Sequence, residues 1–246
     1  MKLPVLTGLC LAMLNYPAYS LGKPARVQRK SPALDYKLYV SSKVDPGKPS
    51  ILFVGFPGIT GGNGHVFSTF TALAEEKGWI LVSPNYLPEN PQKKSRVMVH
   101  PGMLVQPAAL FINHVSDDLE KTYKLDEKMI VYGFSGGGRD TLGLTMIYPE
   151  VVYASIVQCS GSIDSYFQML PMSGREIQSA AKDVPLFVSC GAKDSKRLKS
   201  MRRFVAMYKK KFGREPHLFK IYANQGHTVG REQKKDSVKF LRKYMP

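Results

Sequence analysis

The segment Met129-Ile130-Val131-Tyr132-Gly133-Phe134-Ser135-Gly136-Gly137-Gly138 decides how this chain folds. A β-prone run leads into Gly-x-Ser-x-Gly, and a helical pattern follows. This spacing predicts a nucleophile elbow, a tight strand-to-helix turn that presents a serine hydroxyl to a bound molecule. Glycines flank the serine because neighbouring backbone must approach where a Cβ would clash. A five-residue pattern also arises by chance, so the surrounding elements must support it.

On the N-terminal side, Arg26–Lys30 and Asp35–Ser42 read as two strands of an opening hairpin separated by Ser31-Pro32. Asp45-Pro46-Gly47 turns the chain into a buried-type strand at Ile51–Val54, and a glycine-rich loop then leads to a helix over His65–Glu76. A strand at Trp79–Val82, a proline-rich basic loop from Pro88 to Pro107 and a helix over Ala108–Tyr123 precede the elbow. Beyond it, a helix runs to about Tyr148 and stops at Pro149. Strands are expected at Ala154–Gln158, Leu186–Ser189 and Leu218–Tyr222, with helices at Ser195–Phe212 and Glu232–Arg242. Repeated alternation of strand and helix implies parallel strands joined by right-handed crossovers. The expected class is α/β, a three-layer α/β/α sandwich around a mostly parallel, doubly wound sheet. Functional groups then belong at the C-terminal ends of the strands.

With 246 residues and 43% hydrophobic content, the chain has material for one substantial core. Residues 1–20 read as a secretory signal peptide: Lys2 precedes an apolar run from Val5 to Leu14, and Ala18-Tyr19-Ser20 places small residues for cleavage. That run is too short to span a bilayer. The expected organisation is a signal peptide followed by one domain over 21–246, in a secreted or periplasmic protein.

Removal of the signal peptide takes Cys10 with it and leaves Cys159 and Cys190, each at the end of a predicted strand. An exported protein can join such a pair, or both can remain buried thiols; the sequence leaves the two outcomes open. No cysteine or histidine spacing suggests a metal site, and no cofactor motif is present.

A net charge of +16 raises the question of nucleic acid. In Ser195–Phe212, however, Leu198, Met201, Phe204, Val205, Tyr208 and Phe212 follow helical spacing, which puts Lys and Arg on the opposite, solvated face. No nucleic-acid motif accompanies the charge. Attraction to anionic polysaccharide, envelope or lipid headgroups is the better expectation.

Taken in order, these pieces resemble the α/β-hydrolase family over roughly Ala33 to Tyr244. The elbow occupies the place of the family's fifth strand. Gly191-Ala192-Lys193-Asp194 after a strand resembles the acid turn, and Gln225-Gly226-His227-Thr228 before the last helix resembles the histidine loop. Leu38-Tyr39-Val40 through Pro49 is similar to the start of the polyhydroxybutyrate depolymerase and feruloyl or acetyl-xylan esterase branch. The resemblance implies a serine carboxylic-ester hydrolase without metal or organic cofactor. Ser135 would be the nucleophile, His227 the general base and Asp194 the acid that orients it. Asp164, beyond the preceding strand, is the competing acid. The resemblance further implies oxyanion donors at the backbone N–H groups of Gly136 and Phe56. Here the chain departs from the family, because Val54 stands where a histidine is usual in Val54-Gly55-Phe56-Pro57-Gly58.

Of the other histidines, His114 falls in a helix, His217 begins a strand and His100 lies in the proline-rich loop. His65 either lines the site or stands solvated at a helix start, with the latter favoured. Between Ser160 and Val184 only a short helical pattern, Ser173–Ala181, is expected, which leaves no room for a large lid. The expected ester is therefore accessible, either small or carried on a polymer. Two other functions stay open: a serine peptidase on the same fold, or a non-catalytic module that binds anionic envelope polymers.

Overall fold

A computed structural model describes residues 27–29, 36–58, 62–84, 106–161, 164 and 176–245. The expected signal peptide and most of the Pro88–Pro107 loop lie outside these residues. Eight strands form one sheet: β1 (Val27–Arg29), β2 (Tyr36–Val40), β3 (Ser50–Phe56), β4 (Ile80–Pro84), β5 (Leu125–Phe134), β6 (Val152–Gln158), β7 (Leu186–Gly191) and β8 (Leu218–Tyr222). Their spatial order is β1-β2-β4-β3-β5-β6-β7-β8. The first two strands pair antiparallel, and β2 meets β4 antiparallel, whereas β4, β3, β5, β6, β7 and β8 run parallel. After β3 the chain goes to β4 on one side and then returns to β5 on the other. That reversal opens a crevice at the C-terminal ends of β3 and β5.

Among the described residues five long helices cover the sheet: α1 (Gly64–Lys77), α2 (Gln106–Leu119), α3 (Gly136–Ile147), α4 (Ser195–Phe212) and α5 (Arg231–Tyr244). Parallel strands buried on both faces need apolar residues at successive positions, and β3 and β5 supply them. Leu52, Val54, Met129 and Val131 face the layer of α2, α3 and α4; Phe53, Ile130 and Tyr132 face α1 and α5. In α4 the residues Leu198, Met201, Phe204, Val205 and Tyr208 are buried, as their spacing predicts, and the basic side chains point outward.

Three expectations need correction. Helix α2 ends at Leu119 rather than Tyr123; residues 120–123 form a turn in which the N–H groups of Thr122 and Tyr123 both reach the Leu119 carbonyl. The helical pattern at Ser173–Ala181 reduces, among the described residues, to a 3₁₀ turn at Ser179–Lys182, and Glu176–Gln178 are not helical. Short amphipathic spacing without a cap does not nucleate a helix. His65 is half-buried rather than fully solvated: it packs against the rings of Tyr132 and Phe134.

Glu75 fastens α1 to the end of β2, accepting hydrogen bonds from the Tyr39 hydroxyl and from the Ser42 hydroxyl and N–H. The Ser42 and Tyr39 hydroxyls lower the carboxyl's pKa from 4.5 to about 2. A depressed folded value means that the carboxylate's contribution to stability is complete above the ordinary value and is lost as pH falls toward the folded one. The difference in urea midpoint between wild type and Glu75→Gln is therefore expected to be largest near neutrality. It should shrink steadily between about pH 5 and about pH 2.5.

Candidate active site

Ser135 sits between β5 and α3 with φ 54° and ψ −115°, a backbone conformation that costs on the order of 1–3 kcal/mol in a residue with a Cβ. The turn is held tightly enough to keep it there. A Cβ on Gly133 would lie 2.1 Å from the Gly137 carbonyl oxygen, and one on Gly137 would lie 2.3 Å from the Phe56 oxygen. The two motif glycines thus bring the start of α3 down onto β5 and β3. On the other side, the Ser135 N–H donates to the Gln158 carbonyl of β6 at 2.9 Å.

Three strand ends converge here. Asp194 closes the turn after β7, with its N–H on the Gly191 carbonyl at 3.2 Å, and His227 lies in the loop between β8 and α5. His227 Nδ1 is 2.7 Å from Asp194 Oδ2, and Nε2 is 2.9 Å from Ser135 Oγ. An ionised carboxylate only accepts hydrogen bonds, so Nδ1 carries the proton, and Nε2 is left as acceptor for the serine O–H. The other Asp194 oxygen accepts from Arg197 at 3.2 Å. Asp194 is 7% exposed, whereas Arg197 and His227 remain partly open to solvent. Phe134 stacks on the imidazole with ring centroids 5.0 Å apart and 27° between planes. His65 meets the Phe134 ring edge-on at 5.5 Å, and burial lowers its pKa.

The structure separates the two candidate acids. Asp194 faces His227, whereas Asp164 accepts from the Ser200 hydroxyl and from Arg203 at 3.5 Å, which ties it to α4. Gly136 is the first residue of α3, where backbone N–H groups lack helical acceptors. Phe56 is the last residue of β3, in register with Gly133, and its ring packs on Phe111. Gly58 lies beside the nucleophile, with its Cβ position 3.3 Å from Ser135 Cβ.

Cys159 and Cys190 are free and buried at the ends of β6 and β7. Their sulfur atoms and an Asp194 oxygen all lie within 4.8 Å of one another. The Cys190 thiol bonds to the Cys159 sulfur, which lowers the Cys159 pKa and raises that of Cys190. Cys159 also contacts the Thr228 carbonyl at 3.8 Å and Gln233 Nε2 at 3.7 Å. This support beneath the histidine loop was not legible in the sequence, because it depends on the register of two neighbouring strands.

No protein-family model matches the chain, and no curated protein matches it. Solved structures do. An S-formylglutathione hydrolase from Agrobacterium tumefaciens superposes with a TM-score of 0.64 at 14% identity, over 87% of this chain and 90% of that one. The LpqC poly(3-hydroxybutyrate) depolymerase from Bordetella parapertussis gives 0.64 at 12% identity, over 92% of each chain. The Pyrococcus horikoshii acylaminoacyl peptidase gives 0.62 at 16% identity, over 90% of this chain and 41% of that one. The chain has the α/β-hydrolase fold. Its likenesses reach esterases and peptidases of that fold alike. Among the described residues, no helix is long and apolar enough to cross a membrane.

Proposed function

We propose that this chain is an exported serine hydrolase that cleaves carboxylic esters through an acyl-enzyme, with Ser135, His227 and Asp194 as its triad. The observation that carries the reading is the unbroken relay from Asp194 through both ring nitrogens of His227 to a serine in a strained turn. A serine hydroxyl becomes a competent nucleophile when a base accepts its proton during attack. Ser135 Oγ adds to the ester carbonyl carbon as His227 Nε2 takes the proton. The carbon–oxygen bond to the alcohol then breaks, and the departing oxygen takes that proton from Nε2. Water repeats the sequence, releasing the acid and restoring Ser135. Asp194 holds the ring in its tautomer and stabilises the transient imidazolium. The Gly136 N–H, at the positive end of α3, is the proposed donor to the oxyanion. Esterases and a depolymerase among the structural neighbours support the ester class, and a peptidase among them makes an amide the necessary comparison.

The test is a screen of acyl esters of graded chain length, aryl esters, acetylated sugars and aminoacyl anilides, alongside labelling by a fluorophosphonate. Ester turnover with the label on Ser135 supports the reading; turnover confined to anilides assigns a peptidase instead, and an absence of both label and turnover overturns it. The carboxylates give a sharper comparison. Asp194→Asn is expected to lower kcat by about 10⁴-fold, because the amide favours the wrong imidazole tautomer. Asp164→Asn, at a carboxylate bonded to Ser200 and Arg203 of α4, is expected to change kcat less than about threefold.

A further inference from the structure

The net charge of +16 plays no part in the chemistry proposed above. Helices α1 and α5 lie on the same sheet face, and each starts at the rim where Ser135 and His227 meet: α1 follows β3, and α5 follows the His227 loop. Between them runs a groove of about 540 Å³ lined by Ser68, Thr69, Lys234, Lys235, Val238, Lys239 and Arg242. Its near end is joined to the site by contacts. The Ser68 and Thr69 hydroxyls bond to the His65 carbonyl at 3.2 and 2.6 Å, and His65 abuts Phe134, which covers His227.

The cations of the groove are not equally committed. Lys234 donates to Ser68 Oγ at 3.0 Å, and Arg242 pairs with Glu76 at the far end. Lys235 and Lys239 are exposed; neither makes a hydrogen bond or close ion pair among the described residues, and Lys239 acts on Asp236 through its charge. One helical turn separates the two lysines, about 6 Å along the axis, so their ammonium groups form a row that leads away from the rim. Leu110 is the one exposed large apolar side chain among the described residues, and it belongs to α2 on the opposite face. Val238 is the one apolar residue of the groove, which therefore lacks the large apolar anchors of a surface that lies in a membrane and the aromatic platforms of a single-strand nucleic-acid site.

We propose that the α1–α5 groove is a track for an acidic polysaccharide, whose carboxylates pair with Lys234, Lys235 and Lys239 while an ester on the same chain reaches Ser135. A concave, cation-lined channel suits one polymer strand, and carboxylates spaced along that strand match a row of fixed charges. The proposal rests on the ester-hydrolase reading for its chemistry and on the groove for its specificity.

The test uses the double variant Lys235→Glu/Lys239→Glu, with Lys210→Glu/Lys211→Glu on α4 as a control of equal charge change. On acetylated polygalacturonate the groove variant should raise KM by about tenfold or more. Its kcat/KM on 4-nitrophenyl acetate and on neutral acetylated xylan should stay within about twofold of wild type, and the α4 variant should leave all three substrates within the same range. Equal rises in the two variants, or no rise in either, would overturn the track. So would loss of binding to anionic lipid vesicles with polygalacturonate binding intact. Direct binding of unesterified polygalacturonate separates this inference from the reading beneath it. Binding that the groove variant loses, in a protein with no ester turnover, upholds the track and defeats the esterase. Small-ester turnover with polymer binding indifferent to the variant does the reverse.

Discussion

Ser135→Ala is expected to lower ester turnover by about 10⁴- to 10⁶-fold while leaving the melting temperature within about 2 °C of wild type. The loss is large because the side chains act as a unit: without the hydroxyl, His227 has no proton to accept, and the ring that Asp194 orients has nothing to activate. His227→Ala should be nearly as damaging, since removal of either member disables the same step. Stability is spared because alanine occupies the strained turn at the same cost as serine. Ser135→Gly, by contrast, should raise the melting temperature, as glycine accepts φ 54° freely. Measured kcat on an aryl ester and a thermal melt decide both points. Retention of more than a hundredth of wild-type kcat in Ser135→Ala would remove the serine from the mechanism.

The second large effect is structural. Gly133→Ala would place a methyl group 2.1 Å from the Gly137 carbonyl oxygen, 2.4 Å from its carbon and 2.4 Å from Thr141 Oγ1. Two of those neighbours are backbone, so no rotamer change relieves the contact. Either α3 moves away from β5 or the strand bends, and both displace the serine between them. A loss of about 3 kcal/mol is expected, seen as a melting temperature lower by roughly 6–12 °C, together with near-complete loss of turnover. Gly62→Ala is the matching control, since nothing lies within 4 Å of its Cβ position. Were Gly133→Ala as stable and active as that control, the close approach of α3 to the strand would not be what holds the elbow.

These two glycines also show how much of the molecule could be read from its sequence. The spacing of Gly133, Ser135 and Gly137, with β-prone residues before and helical ones after, is a local property, and the structure realises it locally. The same holds for α4 and β8, whose observed limits at Ser195–Phe212 and Leu218–Tyr222 are those their periodicity predicts. Asp194 and His227 were legible as strand-end residues in the order of a known family, and the parallel sheet brings them together. The choice between Asp194 and Asp164 was harder, because both follow strands; only the position of Ser200 and Arg203 on α4 shows where Asp164 is spent. Phe56 was placed by analogy with a histidine-glycine pair of which this chain keeps only the glycine, Gly55. The pairing of His65 with Phe134 left no trace in the sequence, since it joins a helix start to a strand end across two layers.

Phe134, immediately before the nucleophile in the chain, lies nearly parallel to the His227 ring, with centroids 5.0 Å apart. In the proposed cycle that ring is neutral at rest and cationic in passing, and the π face of phenylalanine carries partial negative charge. A cation–π attraction therefore switches on only when the imidazole is charged, contributing about 0.5–1 kcal/mol to the high-energy species and little to the resting one. The elbow in this way gives the relay more than its hydroxyl: the neighbouring aromatic quadrupole cushions the charge that the hydroxyl's own departing proton creates.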